Sequence, residues 1–208
     1  MSKKINKIIK GLREHYPVVK TGLEYETPLQ LLISTVLSAQ STDKSVNKVT
    51  KNLYEKYPDL EALLGLSREE IQENIREIGI YKNKSKNIYK LLRIIKEEYK
   101  GNVPQNMKEL MKLPGVGRKT ASVVLAVAFG KPAFPVDTHV YRICRRLGFT
   151  ESKTPDKVSD DMMKIIPKDD WIEFHHLLIS HGRNICKARN PDCDKCKIEK
   201  YCKKVGVK

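Results

Sequence analysis

Four of the five cysteines in this chain stand close together near its C-terminal end. They are spaced C-x6-C-x2-C-x5-C, within 17 residues: Cys186, Cys193, Cys196 and Cys202. Four thiolates this close are typical of one enclosed metal centre, either zinc or an iron–sulfur cluster. Structural zinc sites usually have two close cysteine pairs, and here only Cys193 and Cys196 form one. The spacing therefore favours a [4Fe–4S] cluster, leaves zinc open, and differs from a disulfide scaffold of a short secreted chain.

A second motif, Leu113-Pro-Gly-Val-Gly-Arg-Lys-Thr120, predicts a tight turn that leads into an apolar helix. Gly115 and Gly117 allow positive φ and the close approach of another backbone. Amides of such a turn, beside a helix N-terminus, suit a phosphate group. Leu113 and Val116 are expected to anchor the turn. On its own the motif is equally explained as a plain connection between two helices.

Two ionisable residues follow at positions where they could do chemistry. Lys119 lies at the start of the apolar segment, where we expect it to be buried, and a neutral amine there could act as a nucleophile. Asp137, within Pro135-Val-Asp-Thr-His139, opens the next helix and could take a proton or stabilise positive charge. Alternatively, Lys119 is a surface contact to phosphate and Asp137 is only a helix N-cap.

The charge balance indicates a polyanionic partner. Forty Lys and Arg against 25 Asp and Glu give a formal net charge of +15, which suits duplex DNA through counterion release. A generally lysine-rich composition would explain the same excess. The N-terminal segment has no continuous apolar core of a signal peptide, and the longest apolar run, Ala121–Phe129, is too short to span a membrane. We therefore expect a cytoplasmic protein, nucleoid-associated if the source is prokaryotic.

Helical periodicity runs through most of the chain and alternating strand patterns are scarce, so the predicted fold class is all-α. Leu29–Ala39 and Lys119–Phe129 are predicted to be buried helices. Ser67-Arg-Glu-Glu70 predicts a capping box for a helix that ends before Gly79. Cys144 is expected to be a buried thiol without a metal. Further helices are predicted over Lys44–Tyr57, Lys84–Tyr99, Met107–Leu113, Asp137–Leu147, from Thr154-Pro155, and from Asp169 to about His181.

Three separate signals in one order give the chain a resemblance to endonuclease III, a family of helix–hairpin–helix DNA glycosylases/AP lyases. They are LPGVGRKTA, then VDTH, then the cysteine pattern. The segments LSAQSTD (Leu37–Asp43) and His175-His176 with His181-Gly182-Arg183 also match. The resemblance covers the chain essentially from end to end.

The resemblance implies two helical lobes with a DNA-binding cleft between them. Residues 20–131 would form a continuous six-helix bundle that contains the hairpin. Residues 1–19 and 132–208 would form a discontinuous domain around a [4Fe–4S] cluster with a structural role. The protein is expected to be a monomer in the absence of DNA.

The resemblance also implies a reaction. The substrate is double-stranded DNA with an oxidised or ring-saturated pyrimidine, or an abasic site, and the damaged nucleotide is flipped out of the helix. Lys119 matches the nucleophile that expels the base and forms a Schiff base, after which β-elimination cleaves the strand 3′ to the abasic site. Asp137 matches the carboxylate that assists Lys119 and stabilises the cationic sugar.

Further residues match DNA contacts of the family. Gln40 corresponds to the residue that fills the gap left by the flipped nucleotide, and Ile80 to an apolar wedge, although it is equally explained as a hydrophobic residue at a helix end. Gly115 and Gly117 would offer amides to a phosphate. The other expected DNA-binding residues are Val116, Arg118, His139, Lys187 and Arg189.

Related functions remain open at this point. Adenine glycosylases of the superfamily lack a lysine at position 119 and carry an extra C-terminal domain, and thymine-mismatch glycosylases usually have tyrosine there. An 8-oxoguanine glycosylase would share Lys119 and Asp137 but commonly lacks the cysteine pattern. A non-catalytic DNA-binding or redox-sensing module is a different class of function, against which the presence of both ionisable residues speaks.

Overall fold

The structure is a computed structural model that describes residues 2–207. Within these residues it is helical, with no β-strand, as the sequence predicts. The α-helices of the described residues are α1 (Ser2–His15), α2 (Pro28–Leu37), α3 (Asp43–Lys56), α4 (Leu60–Leu64), α5 (Arg68–Asn74), α6 (Tyr81–Tyr99), α7 (Met107–Leu110), α8 (Arg118–Val123), α9 (Thr138–Arg146), α10 (Pro155–Ile165) and α11 (Trp171–Asn184).

The chain divides into two compact units. One unit is Thr21–Lys131, which contains α2 to α8 and a π-helical turn over Val124–Ala128. The other joins the chain up to Lys20 to the residues from Pro132 onward, and it contains α1, α9, α10 and α11 with short 3-10 turns. None of the helices within residues 2–207 has the length and apolar character required to cross a membrane.

The first unit is built around α2, in which every residue from Leu29 to Leu37 is buried. Thr27 caps this helix by accepting a hydrogen bond from the Gln30 amide, and Pro28 occupies the first turn, where a missing N–H costs nothing. One face of α6 contributes Ile88, Leu91, Leu92 and Ile95 to the same core. The predicted buried helix at Lys119–Phe129 is α8 followed by the π-helical turn, and its residues from Ala121 to Ala126 are buried.

The second unit has its own apolar core, formed by α1, α9, α10 and α11. The first helix supplies Ile5, Ile8, Ile9 and Leu12, at spacings that place them on one helical face. The rings of Phe134 and Phe174 stack with centroids 6.3 Å apart and are fully buried in this core. Cys144 is buried there too, as predicted, and burial raises the pKa of its thiol.

Some helix limits differ from the prediction. The short helix predicted over Met107–Leu113 ends at Leu110. The helix after Ser67 ends at Asn74, before Gly79 as predicted, and the chain then turns through short-range hydrogen bonds such as Ile78 N to Ile75 O. The helix predicted from Lys84 begins at Tyr81, and α4 was not predicted. The capping box at Ser67 and Glu70 is present, with both reciprocal hydrogen bonds.

Candidate active site and cysteine centre

The glycine-containing motif forms a hairpin between α7 and α8. The buried side chains of Leu113 and Val116 anchor it, and the Val116 amide donates to the Leu113 carbonyl at 3.1 Å. Gly115 has φ +79°, and a Cβ atom there would lie 3.0 Å from Asn87 Nδ2 and 3.3 Å from Val36 Cγ1. The turn therefore requires glycine at position 115. The Val116 side chain is buried in the turn. A role of Val116 in DNA binding stays a prediction.

Gly117 has a different part in the hairpin. Its φ is −88°, which any residue can adopt, and a Cβ atom there would meet nothing within 4 Å. It is the N-cap of α8, so the amides of the first turn have no side-chain acceptor at this position. An open surface beside the N-terminal amides of a helix suits an anionic group such as a phosphate. Arg118, the next residue, is half-buried.

Lys119 lies in the first turn of α8 and is exposed. The expectation that it is buried is wrong, because the buried residues of α8 begin at Ala121, after the helix has turned inward. An exposed primary amine at the end of a hairpin is accessible to a substrate from solvent. Any desolvation of this amine therefore has to come from groups that approach it.

Gln40 and Ile80 lie in two loops of the same unit and share an unusual backbone conformation. Both have left-handed dihedral angles, with φ of 56° and 60°, and both are exposed. Ile80 is a β-branched residue, for which this conformation is a true outlier, and 51% of it is exposed. The loops are adjacent, since a Cβ atom on Gly79 would lie 3.4 Å from the Gln40 carbonyl oxygen.

In the other unit, Asp137 caps α9. Its Oδ1 accepts a hydrogen bond from the Val140 amide at 2.8 Å, so this residue is a helix N-cap, whatever further role it has. The cap uses one of the two carboxylate oxygens, and the residue is only half-buried. Asp137 thus keeps a second oxygen with which to act on a substrate.

The buried segment before Asp137 is held by two side chains. Ser159 donates to the Phe134 carbonyl at 2.7 Å, and His175 Nδ1 lies 2.9 Å from the Pro135 carbonyl oxygen. Both contacts satisfy carbonyl groups that no regular secondary structure pairs. They fix the start of α9 and with it the position of the carboxylate.

The four clustered cysteines line a single pocket of this unit. The pocket contains about 420 Å³ of space between atoms, part of it open solvent, and its wall also includes Ile143, Leu147, Ile185 and Ile198. Across residues 2–207, no group of three or more His, Cys, Asp and Glu side chains is arranged to hold a single metal ion. Burial raises the pKa of Cys196 to about 11, so thiolates at this place need a positive centre to stabilise them.

Two arginines on α9, one turn apart, bind the segment that carries the first of these cysteines. Arg142 donates to the carbonyls of Cys186, at 2.8 Å, and Gly182, at 3.0 Å. Arg146, which is buried, donates to Cys186 Sγ at 3.3 Å and to the Lys187 carbonyl at 2.6 Å. The sequence analysis missed both residues. Arg146, in the last turn of α9, is explained by the helix dipole alone, and Arg142 shows no local signal of its partners on a distant segment.

His139 and Gly182 belong to the same contact between α9 and α11. Arg142 Nη2 lies 3.2 Å from His139 Nδ1, so this ring nitrogen accepts and the other carries the proton. A Cβ atom on Gly182 would lie 2.7 Å from His139 Nδ1, which is why the two helices can approach only with glycine there. Lys187 and Arg189, on the loop that follows, are exposed.

Known protein families share this sequence and fold. The model of the HhH-GPD superfamily of base excision DNA repair proteins matches residues 33–168. Endonuclease III of Synechocystis sp. is 50% identical over 192 residues, which cover 92% of this chain and 88% of that protein. Endonuclease III of Escherichia coli (strain K12) is 45% identical over 195 residues, which cover 94% and 92%.

Solved structures agree with the sequence comparisons. A trapped covalent intermediate of endonuclease III with DNA superposes with a TM-score of 0.92 at 45% identity, over 98% of this chain and 96% of that one. A thermostable thymine-DNA glycosylase superposes with a TM-score of 0.86 at 27% identity, over 96% and 95%.

The helical fold and the hairpin define a helix–hairpin–helix protein of base excision DNA repair. Within that class, the identity over nearly the whole length means that this chain belongs to the endonuclease III family. It is thus an enzyme of the DNA glycosylase/AP lyase type.

Proposed function

We propose that this enzyme removes oxidised or ring-saturated pyrimidines from duplex DNA and then cleaves the strand 3′ to the abasic site. The observation that supports this most is the exposed amine of Lys119 at the end of an open hairpin, together with the carboxylate of Asp137. Because C1′ of a stacked nucleotide is shielded, the damaged nucleotide has to be flipped out before an amine can reach it.

Lys119 acts as the nucleophile. Its nitrogen bonds to C1′ while the bond from C1′ to the base breaks, and the electron pair leaves with the base, which takes up a proton. Opening of the sugar ring converts the aminal to a Schiff base. Loss of a proton from C2′ then expels the phosphate at C3′, which cleaves the strand, and hydrolysis of the imine releases the lysine.

Asp137 assists the amine and stabilises the positive charge that develops on the sugar. Its cap hydrogen bond to Val140 fixes the rotamer of the carboxylate, so that little reorganisation is required when charge appears. The buried segment held by Ser159 and His175 fixes the backbone at the same place. Asp137 therefore serves in helix capping and in catalysis at once.

The remaining expected contacts divide into two kinds. The amides of Gly115 and Gly117 hold a phosphate without regard to sequence, and we extend this role to Val116, Arg118, His139, Lys187 and Arg189 as backbone or phosphate contacts. Gln40 occupies the gap in the base stack, and Ile80 separates the neighbouring bases. The exposure of both side chains in strained loops supports this assignment.

Cys186, Cys193, Cys196 and Cys202 hold a [4Fe–4S] cluster in this proposal. The fit is supported by the four cysteine side chains that line one pocket. When bound, the cluster supplies a cross-link that orders the C-terminal loops. Arg146 stabilises the charge of the Cys186 thiolate through its hydrogen bond.

The partner is double-stranded DNA, and the enzyme acts on it as a monomer. Relatives with closely similar structures were solved as endonuclease III–DNA complexes, which supports DNA as the partner. In this proposal the protein works in the cytoplasm, and in association with the nucleoid if the source is prokaryotic.

Borohydride trapping tests the mechanism. With a duplex that contains an abasic site, the enzyme should form a covalent complex after reduction of the Schiff base, and Lys119→Gln should abolish it. Lys112→Gln is the matched control, since Lys112 is an exposed lysine of the same hairpin that pairs with Glu109. Failure of the unmodified enzyme to trap, or equal trapping by Lys119→Gln, would exclude the lysine mechanism.

A visible spectrum tests the cofactor. An iron–sulfur cluster gives a broad charge-transfer absorbance, whereas Zn²⁺ with its filled d shell is colourless. A colourless protein with one bound zinc per chain would contradict the cluster assignment. A cleavage panel with thymine glycol, dihydrouracil, 8-oxoguanine and a T·G mismatch separates the proposed substrates from those of the related glycosylases.

A further inference from the structure

A lysine on α6 is almost completely buried. Only 5% of Lys84 is exposed, although it lies in the first turn of the helix. Its ammonium group donates to the carbonyl oxygens of Leu37, at 2.8 Å, and Ala39, at 2.6 Å, and it lies 3.3 Å from Ser41 Oγ. These three acceptors surround Gln40 in the sequence. Lys84 therefore binds the loop of Gln40 on both sides of that residue.

The cation complements the end of α2. The last carbonyls of a helix have no partner within it and carry partial negative charge, so an ammonium group there is stabilised. Burial nevertheless opposes a charged amine and lowers the pKa of Lys84. A neutral side chain of the same length would fill the space without that penalty. The charge is therefore explained by the carbonyls that it orders rather than by packing.

The second loop ends at Ile80, the N-cap of the helix whose first turn carries Lys84. The Lys84 amide and the Asn83 amide both donate to the Ile80 carbonyl, each at 3.1 Å. Left-handed dihedral angles at a residue with a Cβ atom cost roughly 1–2 kcal/mol. Strain of this kind persists only where the surroundings enforce it, and it concentrates at functional sites. The Lys84 side chain enforces the conformation of the Gln40 loop and, because Lys84 lies in the first turn after Ile80, it ties that loop to the start of α6.

We propose that Lys84 is a positioning residue that holds Gln40 and Ile80 together in the geometry in which both enter the DNA duplex. The inference rests on the roles proposed above for these two residues. Lys84 itself touches neither DNA nor the reacting atoms in this proposal. Without its ammonium group, the Gln40 loop relaxes, and the side chain no longer reaches the gap in the base stack.

Two variants and two substrates separate this role from a structural one. Lys84→Met keeps the length of the stem and removes the ammonium group. Lys90→Met is the matched control, because Lys90 is exposed on the same helix and the change in net charge is the same. The substrates are an abasic site in a duplex and an abasic site in a single strand. The single strand has no opposite base and no stack to open, so it requires the amine but not the two loop residues.

We expect Lys84→Met to lower kcat/KM on the duplex by roughly 10- to 100-fold, the effect of a misplaced positioning group, and to leave the single-stranded substrate unchanged. A 2-aminopurine opposite the abasic site should lose its rise in fluorescence on binding. Lys90→Met should match the unmodified enzyme on both substrates. Parallel losses on both substrates, or no loss on the duplex, would overturn the proposal.

If Lys84→Met does not fold, as judged by circular dichroism, Ser41→Ala replaces it. This variant removes only the 3.3 Å contact and leaves the two carbonyl partners in place. A loss of several-fold confined to the duplex supports the proposal, and unchanged duplex cleavage overturns it. Failure of the unmodified enzyme to cleave either substrate would instead refute the proposed function. Failure of the proposed function is thereby distinguished from failure of the proposal for Lys84.

Discussion

Asp137 combines two roles at the scale of a single residue, and substitution can separate them. Asparagine is as good an N-cap as aspartate, so Asp137→Asn should change the free energy of unfolding by less than about 0.5 kcal/mol. It removes the negative charge, so AP lyase activity should fall by roughly 100-fold or more. Urea unfolding and cleavage of an abasic duplex measure the two effects.

The control for this prediction is Asp137→Ala, which removes the cap and the charge together. It should lose activity to the same extent and also about 1 kcal/mol of stability. If Asp137→Asn retains full activity, Asp137 is only a helix cap in this enzyme.

The two glycines of the hairpin differ in what they tolerate. Gly115→Ala places a Cβ atom 3.0 Å from Asn87 Nδ2 at a φ of +79°, so we expect a loss of roughly 1–2 kcal/mol in stability. Gly117→Ala has open space and an ordinary φ, and its entropic gain offsets the poorer N-cap that alanine makes, so it should be close to neutral. Denaturant unfolding of the two variants measures their stabilities and checks the prediction. Equal stabilities would mean that the turn relaxes around position 115.

At the scale of elements, the capping box of α5 is a local device whose loss should be measurable. The Ser67 hydroxyl accepts from the Glu70 amide at 3.1 Å, and the Glu70 carboxylate accepts from the Ser67 amide at 2.8 Å. Ser67→Ala should cost about 1 kcal/mol, while Ser180→Ala, at a half-buried position inside α11 away from its ends, should cost much less. Thermal unfolding provides the comparison.

The capping box of α5 also makes the stability of the protein depend on pH. Hydrogen bonds from the backbone and hydroxyl of Ser67 lower the pKa of Glu70 below its usual 4.5. A carboxylate with a lowered folded-state pKa contributes stability above 4.5 and loses it as the pH falls through the folded-state pKa. Glu70→Gln should therefore have a lower Tm than the unmodified protein at pH 7, and the difference should disappear in acid. A difference in Tm that does not change with pH would contradict the stabilising role of the Glu70 carboxylate.

At the scale of the whole molecule, the excess of positive charge should make DNA binding strongly dependent on salt. Each phosphate contact contributes about 0.9 to the slope of log K against log salt concentration. Lys187→Ala and Arg189→Ala should each reduce that slope by about 1, if these exposed residues contact the backbone. Lys157→Ala, on α10, has the same charge change and should leave the slope unchanged. Binding titrations at several salt concentrations measure these slopes and test the prediction.

Much of the site was predictable from the sequence because its signals are local or are carried by residue type. Cap residues at Ser67, Asp137 and Thr154 act on amides three positions away, and all three are found where such a rule places them. The cysteine quartet needs only short spacings to line one pocket. The start of α6 and the end of α7 were wrong because turns and tertiary contacts, which the hydrophobic pattern does not record, set these helix limits.

The sequence by itself determined the family, the all-helical class and the residue types available for chemistry, since these follow from motifs and from periodicity within a few turns. Only the tertiary structure decided that Lys119 is exposed, that Lys84 is buried, and that Arg146 binds Cys186. Lys84 meets Leu37 across 47 positions of the chain. Burial depends on such distant partners, and no local pattern records them.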